Sequence, residues 1–200
     1  MTVPLKTSRI EAFSDGVIAI ILTIMVLELK VPDHIGPLGH VMLVELLPKL
    51  VPYLLSFVMI AIMWVNHREL LNSALRDGHS VMWANNHLLF WMSLIPIVTD
   101  YVGEHPFHPI PLANYGFVLA GSSIAFSLLR RSVTLDEHGR MSARDGAEFK
   151  KSLIVAAAYG ASIPLAFVSV YLPLAIFIVV PSLYFLPYTF SPPSTEGARK

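Results

Sequence analysis

Asp15 opens a run, Gly16 to Leu27, in which no residue is charged and only Thr23 is polar. A carboxylate in that company pairs with buried donors, passes protons or attracts a cation, because an unpaired charge in an apolar span is costly. Arg9, Phe13 and Ser14 precede it as Arg-x-x-x-Phe-Ser-Asp, and Glu28 closes the run. Asn66 and His67, in Trp64-Val65-Asn66-His67 at the end of one apolar segment, and Asn85, one turn into the next, are further donors and acceptors. Carboxylate, imidazole, carboxamide and hydroxyl together suit a hydrogen-bonded network, which is what buried polar groups require.

Other chemistries lack their residues. His34, His40, His105 and His108 fall in loops at one side, His79 and His138 in loops at the other, and His87 alone lies within a span. No His-Glu-x-x-His occurs and there is no cysteine, so the ligand sets of zinc proteases, haem proteins and iron–sulfur proteins are missing. Met59, Met63, Met82 and Met92 read as packing residues, and Ser122 and Ser123 have no paired base. Neither a metal, a cofactor nor an enzymatic activity is expected.

The elements that position these groups are membrane helices. With 54% apolar and 14% charged residues and a mean hydropathy of +0.62, the chain departs from a soluble globule, in which about 25% of residues are charged. Formal net charge is zero and no long basic run offers a nucleic-acid surface. Ser8 and Glu11 form a capping-box pattern, predicting a first helix from about Arg9 that Pro32 stops. Its roughly 22 residues span about 33 Å, enough for a bilayer core. The run lacks small residues at its end, so it reads as an uncleaved span and not as a signal peptide. Further spans are predicted over Val51–Val65, Val81–Val98, Leu112–Leu129, Ser152–Tyr171 and Leu174–Phe190, the last two separated by Leu172-Pro173. Ser132–Lys151 is the one long polar segment and is expected in water. The expected fold is therefore all-α, a single polytopic domain of six transmembrane helices over residues 1–190, a short tail over 191–200, and no soluble domain.

Charge bias orients it. Lys6, Arg9, Arg68, Arg76, Arg130, Arg131, Arg140, Arg144, Lys150, Lys151, Arg199 and Lys200 fall on one side, whereas only Lys30 and Lys49 fall on the other. The positive-inside rule then puts both termini in the cytoplasm of a multi-pass cell-membrane protein.

Arg9-x-x-x-Phe13-Ser14-Asp15, followed by Ala19-Ile20, Thr23 and Leu27-Glu28, resembles the first-helix signature of the prokaryotic relatives of the endolysosomal potassium channel, transmembrane protein 175. Trp64-Val65-Asn66-His67, and Asn85 eleven residues before Pro96 with Thr99 just after, are similar to that family's second and third helices. The likeness covers about residues 7–100 by motif and the remainder by hydropathy alone. It implies a subunit permeable to potassium and other monovalent cations, a homo-oligomer, in that family a tetramer, and a pore lined by the first helices, with positions matching Ile20, Thr23 and Leu27 at an apolar constriction.

On a helical wheel with Ile20 at zero, Leu27 falls about 20° away, Ile24 about 40° and Thr23 about 60°. By pattern alone this stripe reads equally as a lipid-facing or packing face; the resemblance is what makes it a pore. An apolar ring can gate by dewetting, and without a Thr-Val-Gly-Tyr-Gly carbonyl filter the expected preference for potassium is weak. Glu28, at about 80°, lies at the outer mouth with its direction open. Asp15, at about 140°, points into the protomer, where Trp64, Asn66, His67, Trp83 and Asn85 offer partners at similar depth. The resemblance implies that the Arg9, Phe13, Ser14 and Asp15 motif joins them in one network. That network reads as a structural cluster, a device setting the tilt of the first helix, or a proton path. Arg9 has the further option of snorkelling to headgroups. A proton-coupled transporter using Asp15 and His67 is the alternative function, disfavoured by the apolar midplane of the first span.

Single cysteines at Ser142 and His108 are expected to react with an impermeant thiol reagent from opposite sides of the membrane. Labelling of both from one side would overturn the six-span topology.

Overall fold

The computed structural model describes residues 5–29, 40–74, 78–136 and 138–184. Seven helices occupy them: α1 (Leu5–Leu27), α2 (His40–Asn72), α3 (His79–Ser93), α4 (Ile95–Glu104), α5 (Pro109–Thr134), α6 (Ala143–Val168) and α7 (Tyr171–Ser182). All the regular structure among them is helical, as an all-α membrane protein requires. Five stretches are long and apolar enough to cross a bilayer, α3 and α4 together forming one of them, and α7 is a shorter apolar helix. At 12 residues, α7 rises only about 18 Å. The rest of the predicted sixth span and the tail lie outside the described residues.

Several predicted boundaries move. Ser8 lies inside α1, which begins at Leu5, so the Ser8–Glu11 pattern does not mark the start. The helix ends at Leu27, five residues before Pro32, a residue outside the described ones. Pro48 and Pro52 do not interrupt α2. Membrane helices accommodate such residues because neighbouring groups satisfy the freed carbonyls. Asn66 and His67 consequently sit within α2 and do not close it. Arg130 and Arg131 likewise lie inside α5, and α6 begins at Ala143, well within the segment expected in water. Its start is fixed by Ser142, whose Oγ accepts the Asp145 backbone N–H at 3.1 Å. Between the two helices Asp136 Oδ1 accepts the backbone N–H groups of His138 and Arg140, tightening a turn that Gly139 completes at φ 71°. The break between α6 and α7 falls at Ser169–Val170, so Pro173 stands in the first turn of α7.

The third span bends where α3 meets α4. Leu94, at φ −85° and ψ −14°, is nearly helical, but Pro96 has no N–H for the Met92 carbonyl, and the Leu94 N–H turns back to Trp91 instead. The bend gives α1 two partners, α3 and α4, along a single span.

The core is built around α5. Its span is 78% buried, against 22–39% for the others. Helices α3, α4, α6 and α7 all pack on it. Small residues allow the approach: a Cβ on Gly116 would collide with Ser162, and one on Gly121 with the indole of Trp91. The hydroxyls of Ser122, Ser123 and Ser127 bond back to carbonyls of their own helix at 2.9 Å, which satisfies them without an external partner. Phe177 of α7 seals the other side edge-on against Tyr115, ring centroids 4.9 Å apart.

Gly121→Ala is expected to lower stability by about 1–3 kcal/mol through overpacking against Trp91. Gly160→Ala, where nothing lies within reach of the added methyl, is expected to be neutral or to stabilise by up to about 1 kcal/mol. Thermal unfolding of the purified protein in detergent distinguishes the two.

Candidate functional site

Helix α1 has two faces. Ile10, Ser14, Ile18, Ile21 and Met25 are buried, a four-four-three-four spacing that makes one stripe. Phe13, Ile20, Ile24 and Leu27 are exposed, Leu27 most of all at 74%, and Thr23 is exposed with them. Thr23 Oγ1 donates to the Ile20 carbonyl at 2.8 Å, so its proton is satisfied within the helix. Ile20, Thr23, Ile24 and Leu27 therefore share a face that the rest of the protomer leaves uncovered. Leu22, on the other side of the wheel, is half-buried against the core.

On the buried face, polar groups meet at one point. Asn85 Nδ2 donates to Ser14 Oγ at 2.9 Å, and Ser14 Oγ donates to the Ile10 carbonyl at 2.8 Å. Asn85 Oδ1 lies 2.7 Å from His67 Nε2. Since a carboxamide oxygen only accepts, the imidazole carries its proton on Nε2. Its Nδ1 is buried with no partner among the described residues. Ser14, His67 and Asn85 are all at most 1% exposed, so one carboxamide from α3 joins α1 and α2 in a water-poor interior.

A second strand of contacts runs along the α1–α2 seam. Trp64 Nε1 donates to Asp15 Oδ1 at 2.8 Å. Arg68 stacks over the Trp64 ring at 5.9 Å and approaches Glu11 at 3.7 Å. Asp15 is thus held by an indole and not by Asn85 or His67.

The remaining motif residues stand elsewhere. Phe13, 59% exposed, and Arg9 line an open groove beside α3. Asn66, one residue from His67 and so about 100° round α2, faces a crevice shared with Ser123, Arg130, Glu148 and Tyr159. Trp83, expected at the network's depth, is 73% exposed on the outer side of α3. Glu28 turns toward a small crevice with Lys49, Tyr53, Thr99 and Asp100, away from the exposed stripe. Lys49 is itself paired with Glu104 at 3.5 Å.

One polar cluster has no counterpart in the sequence reading. Ser56 Oγ lies 2.7 Å from both Thr99 Oγ1 and Tyr115 Oη, and Thr99 Oγ1 donates to the Ile95 carbonyl at 2.7 Å. Each hydroxyl has one proton, so the bonds run from Tyr115 to Ser56 to Thr99 to that carbonyl. Tyr159 Oη, also buried, donates to Met59 Sδ at 3.3 Å. The available signal was a tyrosine within a span, whose hydroxyl must find a partner; nothing in the sequence pointed to Ser56.

Residues 9–96 match the family model described as Endosomal/lysosomal potassium channel TMEM175. The chain is 37% identical over 180 residues to a potassium channel of Chryseobacterium sp., covering 90% of this chain and 92% of that one. It is 36% identical over 138 residues to a potassium channel of Chamaesiphon minutus, covering 66% and 68%. The fold is similar to the crystal structure of a lysosomal potassium-selective channel TMEM175 homolog from Chamaesiphon minutus, with a TM-score of 0.76, 32% identity, and coverage of 90% of this chain and 96% of that one.

Asn85→Leu, which keeps bulk and removes the carboxamide, leaves His67 Nε2 and one Ser14 bond unmet and is expected to destabilise by about 1–3 kcal/mol for each buried group orphaned. Asp15→Asn retains an acceptor for Trp64 and should change stability much less. Paired thermal or denaturant unfolding curves check the ranking; equal loss for the two would show that Asn85 is not the hub.

Proposed function

Because the chain belongs to the endosomal/lysosomal potassium channel TMEM175 family, we propose that it is a subunit of a potassium-permeable, weakly selective cation channel whose pore is lined by α1. The observation that carries this reading is the uncovered face of α1. Ile20, Ile24 and Leu27 are 42–74% exposed while the opposite face of the same helix is locked into the protomer. One helix cannot enclose a pore, so several copies, four in our reading, set this face around a common axis. Ile20 and Leu27 then form apolar rings, with Thr23 between them supplying hydroxyl oxygens. Rings of this kind exclude ions by resisting wetting and by the work of removing hydration, and they discriminate weakly between monovalent cations. Glu28, turned toward Lys49, has a reduced role in concentrating cations at the outer mouth. The Asn85 hub and the Trp64–Asp15 bond fix the tilt of α1 and hence the ring radius. We place the protein in the cell membrane with both termini cytoplasmic, on the strength of the lysine and arginine bias. Membership of a channel family sets it apart from enzymes. A proton relay from Asp15 to His67 gains no support, since Asp15 bonds Trp64 and His67 bonds Asn85.

In liposomes with imposed potassium or sodium gradients, Ile20→Asn is expected to raise the cation leak and shrink the difference between the two ions. Ile154→Ala, on the exposed outer side of α6, should leave both near the parent values. An Ile20 variant with unchanged leak and selectivity would mean that this face packs against a neighbour and the pore lies elsewhere.

A further inference from the structure

The ends of α1 and α3 that carry Arg9 and His79 frame a groove of about 570 Å³, walled by Arg9, Phe13, His79, Met82, Asn85 and Asn86. Its lining mixes apolar Ile10, Phe13 and Met82 with a cation and carboxamides. Arg9 and Asn86 are exposed, and neither has a hydrogen-bond or ion-pair partner among the described residues. A carboxamide exposed on a membrane-spanning helix calls for a protein surface or water opposite it. Phe13 adds an aromatic side chain at the same mouth, 59% uncovered.

Helix α1 packs against α2 as well as α3, so its uncovered face is flanked by both. The last turn of α2 buries Leu70 and Leu71 but exposes Glu69, which also has no ion-pair partner among the described residues. Arg9 near the start of α1 and Glu69 near the end of α2 lie at the same end of the bundle, four residues outward from Phe13 and two from His67 respectively. A cation thus lines a groove on one flank while an anion projects from the other.

We propose that the α1–α3 groove is an interface that receives the last turns of α2 from a second copy of this chain, with Glu69 of the neighbouring copy meeting Arg9. This rests on the ring of copies argued under the proposed function and specifies how the ring closes. The two surfaces differ, so the contact is head-to-tail, and repetition about an axis returns to the starting subunit with every groove filled. The seated segment closes over the part of α3 that carries Asn85, whose buried carboxamide holds Ser14 and His67. Each subunit therefore helps fix the pore helix of its neighbour, and the charge pair selects register and partner.

Two measurements on the full-length protein test this. Native mass spectrometry of the unsubstituted protein in detergent reports whether a ring exists; a monomer would overturn the ring itself and the proposal with it. Arg9→Cys with Glu69→Cys, in a chain free of other cysteines, is expected under mild oxidation to give a ladder of covalent oligomers ending at the ring size, whereas Glu69→Cys alone should give none. Charge reversal provides the second arm: Arg9→Glu or Glu69→Arg should shift the population toward smaller species, and the double variant should restore it. An oligomeric parent whose paired cysteines form no ladder and whose double reversal gives no recovery would overturn this interface, leaving the groove to lipid, while the α1-lined ring stands.

Discussion

Everything on the buried side of α1 depends on Asn85. The bilayer interior offers no water to a stray donor or acceptor, so each polar group carried into it must be answered by the protein. A carboxamide is suited to the centre of such an arrangement because it donates and accepts at once. Asn85 uses both abilities, giving a proton to Ser14 and taking one from His67. Three helices are thereby fixed relative to one another at a single point. The interaction is directional, unlike the apolar packing above it, and so it specifies rotation as well as proximity.

Fixing the rotation of α1 is what leaves its other face free. Ile10, Ile18, Ile21 and Met25 follow Ser14 into the protomer, and geometry then turns Ile20, Ile24 and Leu27 outward. The Trp64–Asp15 bond reinforces the same setting from α2. In contrast, α5 leaves only a narrow stripe uncovered, at Phe117, Ile124 and Leu128. Its glycines admit Ser162 and Trp91 at van der Waals distance, and its serines satisfy themselves, so it acts as the rigid post on which the remaining helices lean. Helix α1 packs against α2, α3 and α4. It therefore reaches the post through those three helices, two of which also hold it by the Asn85 and Trp64 bonds.

The hydroxyl chain from Tyr115 through Ser56 to Thr99 supplies the complementary tie. It joins the post to α2 and to the segment just past the Pro96 bend. Thr99 shares the Ile95 carbonyl with the helix's own backbone, which tolerates the bend where a proline has removed one donor. Two polar clusters, one on each side of that bend, thus bracket the third span. Between them the contacts are apolar and less demanding of orientation.

By itself the sequence determined that this is a membrane protein of helices, which family its first three spans resemble, and which residues of α1 share a stripe. Those properties follow from composition, hydrophobic run length and the 3.6-residue period, all of which are local. It also singled out Ser14, His67, Asn85, Trp64 and Asp15 as polar groups needing partners, because a polar residue in an apolar run needs one wherever the chain goes. Which partner each takes was decided by the tertiary structure alone. Asp15 meets Trp64 and not His67, Asn66 turns to a different crevice from its neighbour His67, and Phe13 and Arg9 face outward. Each depends on how far a helix is rotated and where it truly begins and ends. Helix ends were misjudged where a local signal was taken as a boundary, at Ser8 and Pro32, since packing against neighbouring helices outweighs such signals. Ser56 was invisible for the same reason: a serine in an apolar helix satisfies itself or reaches a neighbour, and only the neighbour's position says which.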